Sequence, residues 1–141
     1  MRGFRDLKVY QLAYKLAMEI FIESKSFPKE ERYSLTDQIR RSSRSVATNI
    51  AEGFRKRRYP NTFVSKMADA DSETAETQVW LDFAHNCGYL SKERHDELIN
   101  GYEGVGKMLG SMIAAPEKFK LQNRESRTQK TEARENDFDA V

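Results

Sequence analysis

The sequence predicts an all-α protein, an up-down antiparallel bundle of four helices. Three observations carry that reading. Apolar residues recur at steps of three and four in four separate segments, the period of a helix with one buried side. Short breaks separate the segments at Phe27-Pro28, Tyr59-Pro60 and Gly88 to Ser91. No stretch carries the period-two alternation of a half-buried strand.

Asp6 is placed to cap the first helix, whose apolar positions are Val9, Ala13, Leu16 and Ile20, with Tyr10, Tyr14, Ala17 and Phe21 alongside. Both series step four, three, four, so the buried stripe is wide. The helix should end near Ser24, because Phe27-Pro28 breaks the pattern. A charged connector, Lys29 to Arg32, leads to Ser34, the expected cap of the second helix. The third helix, roughly Pro60 to Asn86, is the most regular. Phe63, Met67, Ala70, Thr74, Thr77, Leu81 and Ala84 step four and three, like a coiled-coil seam. A second series, Asp69, Glu73, Glu76, Trp80, Phe83 and Cys87, gives this helix a mixed aromatic-acidic side that calls for another neighbour. Trp80, Phe83, Phe63 and Tyr10 are expected mainly in the core. Gly88 suits a left-handed helix stop, and Ser91 caps a fourth helix with the stripe His95, Leu98, Tyr102, Val105, Leu109 and Met112. Gly101, Gly104, Gly106 and Gly110 each cost that helix up to about 1 kcal/mol relative to alanine. Close packing would have to compensate. The bundle domain is expected over residues 1–115. Residues 116–141 read as a polar disordered tail whose charges cancel; Phe138, Ala140 and Val141 near its end could dock.

The second helix, Ser34 to Arg58, organises the chain. At about 100° per residue, Leu35, Ile39, Val46, Ile50 and Phe54 share one side, and Arg40, Arg44 and Arg55 lie roughly opposite, with Arg41 on the flank. Small residues fill the shoulders. Four cations in a row, Arg55, Lys56, Arg57 and Arg58, follow at the C-terminal end.

Composition excludes several classes. The chain has 141 residues, 38% apolar and 33% charged, enough for one core without disulfides or metal. A formal net charge of +2 does not by itself argue for nucleic acid, so only the distribution of charge can. Cys87 is the only cysteine, which rules out an internal disulfide and suits a reducing cytoplasm. No segment has signal-peptide or membrane-span character, so no membrane partner and a cytoplasmic protein are expected.

Catalytic and metal-ligating patterns are missing. Glu73 and Glu76 share the face of Trp80, but a di-iron bundle needs two Glu-x-x-His pairs and further glutamates, and the chain offers Asp82-x-x-His85 once. An ion pair with an arginine of helix two or of a neighbouring subunit is the reading preferred for these glutamates. His85 and His95 are too isolated for a triad, and Cys87 reads as a structural thiol. No glycine pattern cradles phosphate. The reading is therefore no enzyme, no cofactor and no metal. The arginines support two readings. They bind phosphates, or they pair with Asp69, Asp71, Glu73, Glu76 and Asp82 of helix three, within the bundle or across a subunit contact. Asn49 at the edge of the apolar face is expected to hydrogen-bond across helices, and Gly53 to permit a close approach. Glu52 sits between them.

FRDLKVYQLA (4–13), SFPKEERYSLTDQIRRSS (26–43), TNIAEG (48–53), ETAETQ (73–78) and GYLS (88–91) follow one another in order. Together they resemble the bacterial S23, or 23S rRNA intervening-sequence, four-helix bundle proteins, from about Phe4 to Ala114. The resemblance implies a four-helix protomer and, as in known members, a homopentameric ring, and it does not imply an enzyme. Two departures stand out: the basic run Arg55 to Arg58 is dense, and Ser42 and Ser43 occupy alanine-like positions. The expected function is an oligomer that binds nucleic acid, RNA before DNA, without base specificity. The alternative is an assembly or adaptor protein that binds a protein partner.

Overall fold

The computed structural model describes residues 3–120 and 140–141. These form four helices, α1 (Lys8–Ser24), α2 (Leu35–Arg55), α3 (Pro60–Asn86) and α4 (Lys92–Ala114), with no strand among the described residues. Cross-helix pairs fix the directions. Ser24 meets Arg40, Ser42 meets Thr77, Glu52 meets Lys66, Asp82 meets His95 and Glu23 meets Arg94. Along each pair of neighbours these contacts join positions at matching heights on helices running in opposite directions, as an up-down bundle requires. Each helix packs on the next and α4 closes on α1, which leaves α1 diagonal to α3 and α2 diagonal to α4.

The expected stripes are the core. Val9, Ala13, Leu16 and Ile20 of α1 meet Ile39, Val46, Ile50 and Phe54 of α2, together with the α3 seam and Leu98, Tyr102, Val105, Leu109 and Met112 of α4. Small residues set the spacing. A Cβ on Gly53 would stand 2.7 Å from Met67 Cε and 2.8 Å from Lys66 Cβ, so α2 and α3 touch backbone to side chain there. One on Gly101 would stand 2.6 Å from Leu16 Cδ2, which is the close packing that offsets a glycine-rich α4. Buried Ser42 and Thr77 hydrogen-bond at 2.8 Å between α2 and α3. Serine at this position thus satisfies a buried hydroxyl where alanine would leave it with one partner fewer.

The helix ends correct two expectations. Asp6 does not cap α1. Its carboxylate accepts the Gly3 N–H at 3.1 Å and closes a preceding 3₁₀ turn, Phe4–Asp6, because Leu7 takes the cap position in order to bury its side chain. Ser34 stands at the α2 cap, but its hydroxyl donates to Glu31 at 2.6 Å instead of receiving a helix N–H. Gly88 stops α3 at φ 83°, with its N–H on the His85 carbonyl and the Tyr89 N–H on the Ala84 carbonyl, both at 2.9 Å. Ser91 caps α4 by accepting the Arg94 N–H at 3.2 Å. Past α4, Pro116–Lys118 makes a short turn and Phe119 stacks on Phe63 at 5.8 Å between ring centres. Residues 121–139, most of the expected tail and Phe138 with it, lie outside the described residues. Val141 is buried, and its carbonyl accepts the Val9 N–H.

Candidate nucleic-acid interface

The outer face of α2 is a consequence of its inner one. Once Leu35, Ile39, Val46, Ile50 and Phe54 turn inward, helical geometry leaves Arg41, Arg44, Thr48, Glu52 and Arg55 on the exposed side. Arg40 is half-buried: its Nε donates to Ser24 Oγ at 2.8 Å, and its guanidinium lies 4.8 Å from the Phe21 ring. Arg44 approaches the same ring at 5.8 Å and Arg55 the Phe4 ring at 5.8 Å. Such stacking orients a guanidinium while leaving its N–H fork able to meet an oxyanion. At the C-terminal end the four cations divide. Arg57 folds back over the Phe54 ring at 4.0 Å and donates to the Phe54 carbonyl at 3.0 Å, which ties off the helix. Lys56 and Arg58 are exposed. Arg57 is therefore a structural cation, and the others face solvent.

Between α2 and α3 lies a cleft of about 550 Å³ lined by Gln38, Arg41, Ser42, Arg44, Ser45, Thr48, Glu73 and Glu76. Within the chain, the arginine–glutamate ion pairs expected between α2 and α3 are not made. Among the described residues, no carboxylate stands at salt-bridge distance from Arg40, Arg41, Arg44 or Arg55. Arg44 leans toward Phe21 on the α1 side, and Glu73 and Glu76 associate with each other instead. The α2–α3 ion pair that forms has the opposite polarity, Lys66 donating to Glu52 at 2.9 Å. Glu73 is half-buried. Burial, then the hydrogen bond and charge of Glu76, hold its carboxyl above the ordinary carboxylate value against the pull of Arg41.

Asn49 does not reach across helices. Its amide donates to the Ser45 carbonyl at 2.9 Å and to Ser45 Oγ at 3.1 Å, one turn back on its own helix, where acceptors are nearest. Glu52 holds Lys66, and Gly53 admits Met67, so this motif is structural in the protomer. Cys87 is exposed at the end of α3 rather than buried as a structural thiol. The histidines come together more than their spacing suggested. Their rings lie 5.1 Å apart, His95 Nε2 is 2.7 Å from Asp82 and Nδ1 3.0 Å from Asp96. Asp82 and Asp96 hold His95 protonated above the ordinary histidine range. Among the described residues no three His, Cys, Asp or Glu side chains are arranged to hold a metal. No helix there is long and apolar enough to cross a membrane.

Two apolar faces stay exposed, one of them on the side of α3 whose second series called for another neighbour. Tyr14, Met18 and Ile22 stand out on α1, and Val79 and Phe83 on α3 beside half-buried Trp80. Phe83 is thus a surface residue, not core. The signal was the width of both stripes, since apolar residues beyond about a third of a helix's circumference outrun what one core can cover.

Residues 5–111 match the family model described as 23S rRNA-intervening sequence protein. The chain belongs to this family. A similar solved structure is a protein of unknown function from the S23 ribosomal protein family of Bacteroides thetaiotaomicron, 26% identical. The similarity covers 74% of this chain and 97% of that one, with a TM-score of 0.68. No curated protein matches the chain. The family match covers α1, α2 and α3 and most of α4 and includes the α2 face and its cleft, whereas residues 121–139 lie beyond it.

Proposed function

We propose that the chain is a non-enzymatic, oligomeric four-helix bundle of the cytoplasm that binds nucleic acid without base specificity. The surface is the outer face of α2 with its basic end: Arg40, Arg41, Arg44, Arg55, Lys56 and Arg58, with Arg57 holding the helix end in place. One observation carries the reading. Arg41, Arg44, Arg55, Lys56 and Arg58 are exposed, and no described carboxylate neutralises them at salt-bridge distance. Cations spaced along one helix meet the requirement of a phosphate backbone, which needs no catalytic geometry. The family's description makes RNA the first nucleic acid to test.

Oligomerisation supplies the field that a net charge of +2 cannot. The apolar faces of α1 and α3 differ in their residues and sit on diagonal helices, which suits a head-to-tail contact closing into a ring. Lys15 and Lys25 flank the α1 face and Asp82 the α3 face, so the two are also complementary in charge. A homopentamer is the ring the resemblance implies, and it repeats the α2 stripe five times around its rim.

Arg41→Glu with Arg44→Glu tests this reading against the second one, an adaptor that uses these arginines between subunits. If they bind phosphate, the double variant loses RNA affinity with mass and helicity unchanged. The wild type should show a log–log salt slope of about 0.7 per phosphate contacted on single strands. Loss of the oligomer in light scattering selects the adaptor reading. Unchanged affinity removes α2 as the binding surface.

A further inference from the structure

The cleft between α2 and α3 holds more than a charged face requires. Arg41 and Arg44 line it with Ser45 and Thr48 on the α2 wall, and Glu73 and Glu76 form the α3 wall. The two glutamates stand one helical turn apart, with carboxyl groups in hydrogen-bonding reach of each other. Carboxylates so close repel when both are ionised, and holding one proton between them removes the repulsion. Neither arginine reaches them at salt-bridge distance: Arg41 is exposed, and Arg44 lines the cleft while its guanidinium approaches the Phe21 ring at 5.8 Å, which leaves N–H groups of both for an anion that enters.

We propose that this cleft seats a backbone phosphate of the bound nucleic acid between Arg41 and Arg44, and that a proton held on Glu73, beside Glu76, sets how tightly. The inference rests on the α2 face being the nucleic-acid surface and adds the regulation of that surface. With the proton in place, the lining carries two cations against one anion; without it, two against two. The groups facing Glu73 are Glu76 and Asp69 along α3 and Arg41 across on α2, with Arg44 and Gln38 completing that wall. Burial and both acids favour the protonated form and Arg41 opposes it; the balance lies on the protonated side of an ordinary glutamate. Affinity is therefore greatest at the acid end and falls as pH rises through the elevated Glu73 value. By reciprocity, seating the phosphate takes up a proton.

The test measures binding of the full chain to single-stranded oligouridylate RNA from about pH 5 to about pH 8 at several salt concentrations. Mass and helicity are recorded in the same buffers, for wild type, Glu73→Gln and Glu76→Gln. The wild type should lose about fivefold or more in affinity across that range. Its salt slope should become shallower by about 0.7 as one phosphate contact weakens. Glu73→Gln should bind at neutral pH as the wild type does at the acid end, with a flat profile. If the wild type binds with no pH dependence, or Glu73→Gln keeps the wild-type profile, the proton inference is overturned and the surface reading stands. No binding at any pH or salt overturns both. A mass that changes with pH at constant affinity per chain also overturns it, and places the glutamates in a subunit contact. Should Glu73→Gln lose its helicity, Glu76→Gln removes the partner of the same proton. A pH profile displaced toward acid there supports the inference, and an unmoved profile overturns it.

Discussion

His95 shows what individual side chains do at the closed end of the bundle. It lies between Asp82 of α3 and Asp96 of its own helix, with the His85 ring stacked alongside. The Asp82 hydrogen bond is the chief cause that raises its folded pKa above the unfolded 6.5. A group whose pKa rises on folding stabilises the fold fully below its unfolded value, and that contribution is lost as pH climbs through the folded one. Thermal stability should therefore decline as pH rises from 6.5 through the elevated folded value. His95→Gln should flatten that decline in melts recorded across the range. A decline of the same size in the variant would assign the pH dependence to other groups. Its spacing alone did not reveal this: His95 and Asp82 are 13 positions apart, and only the antiparallel pairing of α3 and α4 makes them neighbours.

At the scale of elements, glycine separates contacts that need closeness from positions that do not. Gly53 touches Met67 and Lys66 Cβ, and the latter cannot swing aside as a flexible side-chain end can. Gly53→Ala should destabilise the protein by about 1–3 kcal/mol through overpacking between α2 and α3, less the helix-propensity gain of up to about 1 kcal/mol. Gly110 has nothing within 4 Å of the Cβ position and is exposed. Gly110→Ala should stabilise by up to about 1 kcal/mol. Chemical denaturation of the two variants checks both signs. Both glycines belong to helical segments with apolar stripes, and sequence reasoning anticipated the close approach at Gly53. It could not tell Gly110 from Gly101, because the difference is whether Leu16 of α1 lies opposite.

For the whole molecule, the consequence of a four-membered ring of helices is that α1 and α3 look outward in different directions. If their exposed faces meet in a head-to-tail assembly, charge placed on either face should break it. Met18→Glu with Ile22→Glu removes one half of the contact, and Val79→Glu with Phe83→Glu removes the other. Each variant alone should be a folded monomer in light scattering. Mixed, they should form a discrete heterodimer, because each retains the half that the other lacks. Homodimers of either variant would indicate a two-fold contact that uses one face only.

By itself, the sequence determined the four helices, the stop of α3 at Gly88 and the start of α3 at Pro60, the seam of α3, the inward side of α2 and the family. These follow from local periodicity, capping and proline chemistry, which act within a few residues. The segregation of Arg41, Arg44 and Arg55 from the core was legible for the same reason: one helix's inner face defines its outer one. Only the tertiary structure decided which partners those side chains take. It placed Arg40 on Ser24 and Phe21 and turned Arg57 back as a helix cap. It also paired Glu73 with Glu76 instead of with an arginine, and exposed Val79 and Phe83. Such pairings depend on the axial offset and rotation of one helix against another. Those are set by close contacts such as Gly53 on Met67 and Gly101 on Leu16, where two distant stretches of chain must fit together.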